Sequence, residues 1–281
     1  ENPDGTQISW INRWHDNPYW MQYKNLNPQT ENRLMGFASV KYEFTDWLSL
    51  MVRSGIDYSN EQFELKRAYY SMDYQEGRYN VNNYFRQEIN SDFLFSANKN
   101  LTDDLSLSAN LGGNIMNQQY RSQGSFVNRL VVPDNYSLAN AKETPTTSYY
   151  QSEKEIQSLY AFISLGYKSQ LYLDLTGRND WSSTLPVDNN SYFYPSATAS
   201  WIFSETFGTD QGSFSFGKLR LSVAQVGNDT GPYRLNSSYN AAQPYGGNPS
   251  FTLSTSMPPA NLVNELVTSY EAGLDLKFFN N

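Results

Sequence analysis

Side chains that carry enzymatic or metal chemistry are scarce in this sequence. His15 is its one histidine and cysteine is absent, which removes thiolate nucleophiles, disulfides and multi-histidine metal centres. A serine triad would have to run through His15; an isolated surface histidine requires fewer coincidences. Oxygen donors cluster in "DNNS" (188–191) and "NDTG" (228–231), which have the composition of a loop Ca²⁺ site. Neither has the ligand spacing and bidentate Glu of an EF-hand, and the turn preferences of Asp, Asn and Gly account for both. The expectation is no catalytic residue, no cofactor, and at most a loop calcium.

Binding chemistry is better represented. The stretch "WINRWHDNPYWMQY" (10–23) holds Trp10, Trp14, Tyr19, Trp20 and Tyr23 among amides. Aromatic platforms beside amides are the usual furniture of glycan and peptide sites, so Trp10, Trp14, Tyr19 and Trp20, with Tyr69, Tyr70, Tyr149 and Tyr150 in other polar segments, are candidates for ligand or partner contact. The competing reading is a long loop packing on its own aromatics. In "GRNDW" (177–181) Arg178 and Asp180 flank a strand end beside Trp181, as a sugar contact or as a salt-linked anchor for the loop.

The elements that must position these residues follow from periodicity. Leu34, Gly36, Ala38, Val40, Tyr42 and Phe44, then Leu48, Leu50, Val52, Ser54, Ile56 and Tyr58, fall on one face of a hairpin; Lys41, Glu43, Arg53 and Asp57 fall on the other. The period is two, so these are strands. A second hairpin places Ile89, Phe93, Phe95, Leu105, Leu107, Leu111 and Ile115 on its apolar face. A third pairs Leu159, Ile163, Leu165 and Tyr167 with Leu171, Leu173 and Leu175, leaving Asp174 and Arg178 on the polar side. A fourth sets Phe193, Ala197, Ala199, Trp201 and Phe203 against Leu219, Leu221 and Val223, with Lys218 and Arg220 alternate. A ninth strand ends the chain with Tyr270, Leu274, Leu276 and Phe278 opposite Asp275 and Lys277.

Connections alternate between short and long. Tight links sit near residues 45, 102 and 169, with a longer one at 204–215; polar segments run through 59–87, 116–157, 179–192 and 227–266. Loops of that length are uncommon in compact soluble domains but regular in outer-membrane barrels, which join long extracellular loops and short periplasmic turns by strands alternating apolar-out and polar-in. No position named on these apolar faces is Asp, Glu, Lys or Arg, although such residues make up 17% of the chain; a Lys or Arg facing mid-bilayer lipid costs about 2–4 kcal/mol. Aromatics gather beside the short turns: Tyr42, Phe44, Trp47, Tyr167, Trp201, Phe203 and Phe278 form a girdle at one membrane interface. The sequence predicts an all-β fold, about nine strands of a larger antiparallel transmembrane barrel, with Lys41, Glu43, Arg53, Asp57, Asp174, Arg178, Lys218, Arg220, Asp275 and Lys277 facing its lumen and pairing across strands or with material inside it.

Composition agrees. A hydrophobic content of 39% is low for a soluble core in 281 residues, while 22 Tyr and 16 Phe are far above the usual share. No run approaches the length of a membrane-crossing helix. A net charge of −8 without clustered Lys and Arg argues against nucleic-acid binding. "ENPDGTQISW" at the start carries no initiator Met or leader pattern and "DLKFFNN" stops at a turn signal, so the expectation is an internal piece of a longer chain.

Several segments in order, "TDWLSL…GIDY" (45–58), "LVVPDNYSLANA" (130–141), "LTGRNDWSSTLP" (175–186), "SYFYPSATASWIFSE" (191–205), "KLRLSVAQVGND" (218–229) and "SYEAGLDLKFFNN" (269–281), together resemble the SusC/RagA-like TonB-dependent outer-membrane transporters of Bacteroidetes. The resemblance implies that residues 1–281 are part of a single barrel domain within a 22-stranded whole, with the plug and remaining strands elsewhere. It also implies a bacterial outer-membrane location, contact with the TonB complex through absent N-terminal parts, and a SusD-like lipoprotein over the outer loops. Active import of an oligosaccharide or peptide would follow. A passive porin and a soluble carbohydrate-binding β-sandwich are the alternatives. "PDNYSLANA" is expected to start a short helix after Pro133.

Overall fold

The computed structural model describes residues 1–8, 15–208, 214–254, 257–259 and 261–279. Its strands are β1 (Gln29–Thr45), β2 (Leu48–Ser71), β3 (Tyr74–Asn100), β4 (Leu105–Val127), β5 (Thr146–Tyr167), β6 (Leu171–Ser182), β7 (Ser191–Trp201), β8 (Phe214–Asn228), β9 (Tyr239–Tyr245), β10 (Asn248–Leu253) and β11 (Glu265–Phe278). Nine of them form one sheet in the order β1-β2-β3-β4-β5-β6-β7-β8-β11, and β9 and β10 pair separately. Each neighbour in the large sheet is the next strand in the chain, except that β11 follows β8 once the β9–β10 hairpin is passed. This is an up-and-down meander, and the pairs of known register are antiparallel.

Several strands run well beyond the apolar stripes that reveal them. The expected loop at 59–87 is instead the upper part of β2 and β3, joined by a turn at Met72 and Asp73. The segment 116–157 contracts to a connection at 128–145, and 179–192 to one at 183–190; 227–266 contains the β9–β10 hairpin. Where both rows of a strand become polar, as in "SNEQFELKR" (59–67), the period-two contrast vanishes although the backbone ladder continues. Tyr69 and Tyr70 therefore lie on β2, Tyr149 and Tyr150 on β5, and Trp181 on β6, not in loops. Phe203 also moves: β7 ends at Trp201, and Phe203 opens α2 (Phe203–Phe207), closed by Gly208 in the left-handed region at φ 60°.

Residue contacts divide the chain into two units. The first comprises residues 1–36, 56–88 and 118–153. Its small core is Tyr79, Val127 and Leu130, with Tyr69, Val81, Tyr136 and Ala141 packed on it. The Tyr69 hydroxyl donates to the Leu130 carbonyl, and Leu130 N–H donates to the Glu76 carbonyl at 2.8 Å. The connection 128–145 folds back through a Leu130–Ala141 bridge. Its expected helix shrinks to one 3-10 turn, Leu138–Asn140, begun by the Ser137 side chain accepting from Ala139 N–H and not at Pro133. The Asn140 side chain donates to the Val132 and Asn135 carbonyls and accepts from Val132 N–H. These bonds staple the loop and replace the helical turns Pro133 was expected to start. Burial, with Asp134 adding to it, pushes the Tyr136 phenol up to about 12.

The second unit comprises residues 37–55, 89–117 and 154–281. Strands β5 to β8 and β11 pair over long runs in it, with Leu165 opposite Leu173, Leu173 opposite Ala199, Ala199 opposite Leu221 and Leu221 opposite Ala272. The apolar residues thus form continuous rows across the sheet. Replacing Leu130, which is fully buried, by Ala should destabilise the first unit by about 2–5 kcal/mol. Hydrogen exchange would register this as lost protection at 128–145, with the 159–175 ladder unchanged.

Candidate functional site

The apolar rows are not covered by protein. Val40 is 73% exposed, Leu111 48%, Leu159 46%, Leu171 47%, Leu221 52% and Leu274 59%. Among the described residues the buried hydrophobics are Trp20, Ala68, Tyr79, Val127, Leu130, Leu185 and Tyr192, none of them from the apolar rows. The polar face shows the opposite: Asp92, Ser158, Asp180, Ser182 and Ser200 are all buried. A sheet that presents leucine outward and shields carboxylates such as Asp92 and Asp180 is inverted relative to a water-soluble sandwich.

In the second unit the polar face carries a network of locally paired groups. Arg53 Nε pairs with Asp92 at 2.9 Å between β2 and β3. On β6, Arg178 Nε meets Asp180 at 2.7 Å, and its Nη2 donates to Ser158 Oγ on β5 at 2.8 Å. The Arg178 guanidinium lies 5.6 Å from the centre of the Tyr160 ring. That ring rests on β4 at Gly112, where an added Cβ would come within 2.5 Å of it. The Tyr194 hydroxyl donates to the second Asp180 oxygen at 2.6 Å, and its ring stacks on Tyr192 at 6.1 Å. Asp229 receives Lys154 Nζ at 2.5 Å on one oxygen, and the hydroxyls of Ser182 and Thr184 on the other. No buried side-chain nitrogen or oxygen among the described residues lacks a partner.

The remaining residues expected in the lumen also find polar company. Lys41 meets Glu43 at 2.8 Å, Asp174 accepts from Ser164, and Arg220 pairs with Asp275 at 3.2 Å, while Lys218 stands opposite Asp275 in the ladder. Lys277 lies over the Phe216 ring. In the first unit Asp57 is held by Arg33 through two bonds of 2.9 and 2.6 Å. Arg86 pairs with Glu61 at 2.8 Å between the rings of Tyr84 and Tyr120. Asp92, Tyr160, Tyr194 and Gly112 were not singled out as site residues from sequence, whereas Asp180 was paired there with Arg178, as a sugar contact or a salt-linked anchor, and the ion pair is present. The even spacing Arg178, Asp180, Ser182 puts three of the network's groups on one face, but their partners come from other strands.

The candidate contact residues separate. Trp10 and Trp14 lie outside the described residues. Trp20, in α1 (Pro18–Tyr23), is buried and its Nε1 donates to Ser71 Oγ at 3.0 Å, so it anchors the N-terminal segment and offers no platform. Tyr69 is likewise taken up by Leu130. Tyr19, Tyr70, Tyr149 and Tyr150 remain exposed; Tyr70 has φ 65°, and its carbonyl accepts from Gln7 Nε2 at 2.8 Å. Trp181 shares the face of Leu171, Leu173 and Leu175 and sits opposite Gln157 and Ser191. Around the short turns Tyr42 packs on Phe44, and Trp201, Phe203, Phe214 and Phe278 form a chain of ring contacts. Trp47 and Tyr167 each have a lysine over the ring, Lys99 and Lys168. His15 is exposed. As for the calcium composition of "NDTG", Asp229 is already surrounded by an ammonium and two hydroxyl donors, and no group of three or more acidic, His or Cys ligands occurs among the described residues.

An antiparallel meander with an exposed apolar face and an ion-paired polar face defines a barrel wall. The chain belongs to the family of TonB dependent receptor-like β-barrels, whose model matches residues 2–281. Over 214 residues it is 25% identical to TonB-dependent receptor P39 of Formosa agariphila, a match covering 73% of this chain and 20% of that protein. Its fold is that of the RagAB peptide transporter, with a TM-score of 0.84 at 17% identity over 94% of this chain and 30% of the other. The RagAB peptide importer in its closed-closed state matches with a TM-score of 0.83 at 18% identity, covering 95% and 30%. The chain therefore spans a fifth to under a third of the length of these relatives.

Two outcomes test these electrostatics. Arg178→Ala would leave Asp180 buried beside a lost cation, at a cost of about 3 kcal/mol; Tyr194→Phe should cost about 1 kcal/mol. Both are read as the temperature at which the detergent-solubilised barrel loses its compact gel mobility. In the first unit, a hydrogen bond from Lys142 above all, then Coulombic attraction from Lys142 and Arg129, holds the Glu76 carboxyl below its ordinary 4.5. A depressed folded value means that its contribution is complete above that ordinary value and lost as pH falls below it. Hydrogen-exchange protection at 128–145 should accordingly decline on acidification below 4.5 and be insensitive to acid in Glu76→Gln.

Proposed function

We propose that residues 1–281 form part of the wall and mouth of a TonB-dependent importer in the bacterial outer membrane, within one barrel domain whose plug and further strands belong to the rest of the protein. The observation that carries this reading is the inversion of the sheet: leucine rows open to the surroundings, and carboxylates such as Asp92 and Asp180 shielded beneath their arginine partners on the other face. Hydrocarbon would lie against the first and a wet lumen behind the second. The network around Arg53, Asp92, Tyr160, Arg178 and Asp180 then acts as a rigid lumen lining. The girdle of Tyr42, Phe44, Trp47, Tyr167, Trp201, Phe203 and Phe278 marks the periplasmic interface, and Tyr19, Tyr70, Tyr149 and Tyr150 belong to the mouth.

The cargo is a nutrient such as a peptide or oligosaccharide, taken up with a SusD-like lipoprotein on the outer loops and energy delivered through TonB. The structural neighbours named as peptide importers support a peptide; the exposed tyrosines serve either. No covalent chemistry is assigned to any residue. A passive porin would share the wall but need no energy, and a soluble carbohydrate-binding sandwich would cover its apolar face with a second sheet.

Three outcomes separate them. The full protein should fractionate with outer membranes and run faster unheated than boiled, whereas a soluble sandwich would stay in the aqueous fraction. Deleting its gene should abolish uptake of a labelled peptide or oligosaccharide from a panel, and collapsing the proton-motive force should do the same in the intact strain. Uptake that survives the collapse would assign a porin instead.

A further inference from the structure

Resting on that reading, we infer that the wall carries a binding site for a glycolipid of the outer leaflet, with an uncharged sugar head and an acyl chain, centred on Trp181. On the exposed face of the second unit an apolar groove of about 380 Å³ runs past Val52, Phe93, Gly113, Ile115 and Leu159 to Trp181. A second, polar recess of about 430 Å³ is bordered by Glu155, Gln157, Ser183 and Asn190, again with Trp181, while Ser182, whose hydroxyl is turned to Asp229, adds only backbone. The two share Trp181 and Gln157. Trp181 thus borders both a cleft fit for a hydrocarbon chain and a cluster of amides, a hydroxyl and a carboxylate. An amphiphile has that division of polarity.

Depth supports it. Along the outward row of β5 the apolar run Leu165, Ile163, Ala161, Leu159 gives way to Gln157 and Glu155, so the hydrocarbon boundary falls between Leu159 and Gln157. Trp181, opposite Gln157 in the ladder, lies at that boundary, where an amphipathic ring is most favourable. The groove is recessed because Gly113 has no side chain: a Cβ there would come within 2.6 Å of the Phe93 ring.

Charge selects the head. The recess has no Lys, Arg or His in its lining. Two cations close in sequence to its lining are committed elsewhere, Lys154 to Asp229 and Arg178 to Asp180. Glu155 contributes a carboxylate, which receives Gln157 Nε2 at 2.9 Å and repels phosphate. An aromatic ring beside a carboxylate, amides and a hydroxyl suits sugar hydroxyls.

Native mass spectrometry of the complete, detergent-purified protein supplies the test. The probes are monogalactosyl diacylglycerol, phosphatidylglycerol with the same chains, and free galactose. The expected result is retention of the galactolipid at least tenfold over phosphatidylglycerol, with no competition from free galactose at equal concentration. Val52→Phe, which narrows the groove at an exposed position, should reduce retention of both lipids about fivefold or more. Glu155→Lys should reverse the preference toward phosphatidylglycerol. Equal retention of the two lipids, competition by free galactose, or indifference to both substitutions would overturn the site while leaving the transporter reading intact. Recovery of the protein outside the outer membrane would sink both.

Discussion

The structure depends on one constraint: a backbone that meets hydrocarbon must have its N–H and C=O groups paired before its side chains are considered. The chain meets it with long antiparallel ladders, the next strand in the sheet being in nearly every case the next in sequence. Once the backbone is paired, each strand has two independent faces, and side-chain chemistry need only decide which face touches what. Here the apolar row is built from Leu, Val, Ile, Ala and aromatic residues with no charge among them, while the other row is ion-paired. Side-chain hydrogen bonding and charge are concentrated on the polar face, the reverse of a soluble domain.

That reversal explains how the chain holds buried charge without a conventional core. Asp92, Asp180 and Asp229 are among its least exposed carboxylates, and each is matched by an Arg or Lys on the same or a nearby strand and, for the latter two, by hydroxyls from a neighbour. Removing the Arg or Lys of such a set leaves a shielded carboxylate without its counter-charge, so the pairs tie neighbouring strands together. The aromatic rings take part as spacers: Tyr160 fills the gap at Gly112 and carries Arg178 on its face.

Legibility from sequence followed the same division. Where lipid contact forces one row to be apolar, period-two alternation made the strands readable, as at Leu171, Leu173 and Leu175 against Asp174 and Arg178. Above the hydrocarbon that contrast disappears. The outer parts of β2 and β3 therefore read as loop although these are the longest strands described, and Tyr69, Tyr70, Tyr149 and Tyr150 were assigned to loops they do not occupy. Trp181 misled for a related reason: beside Arg178 and Asp180 in sequence, it points to the opposite face because successive residues in a strand must.

By itself the sequence determined the strands that cross the apolar layer, their alternation, the aromatic clustering at short turns, the absence of thiol or multi-histidine chemistry, and through ordered motifs the family. Each is a local property, set by side-chain type at a spacing of one or two residues. Only the tertiary structure decided which charges meet, that Trp20 is an anchor and not a platform, that Asp229 is already filled with donors, and that Gln157 and Trp181 join a groove to a recess. Those facts depend on register between strands distant in the chain, and register is fixed by the summed fit of whole ladders, which no single segment contains.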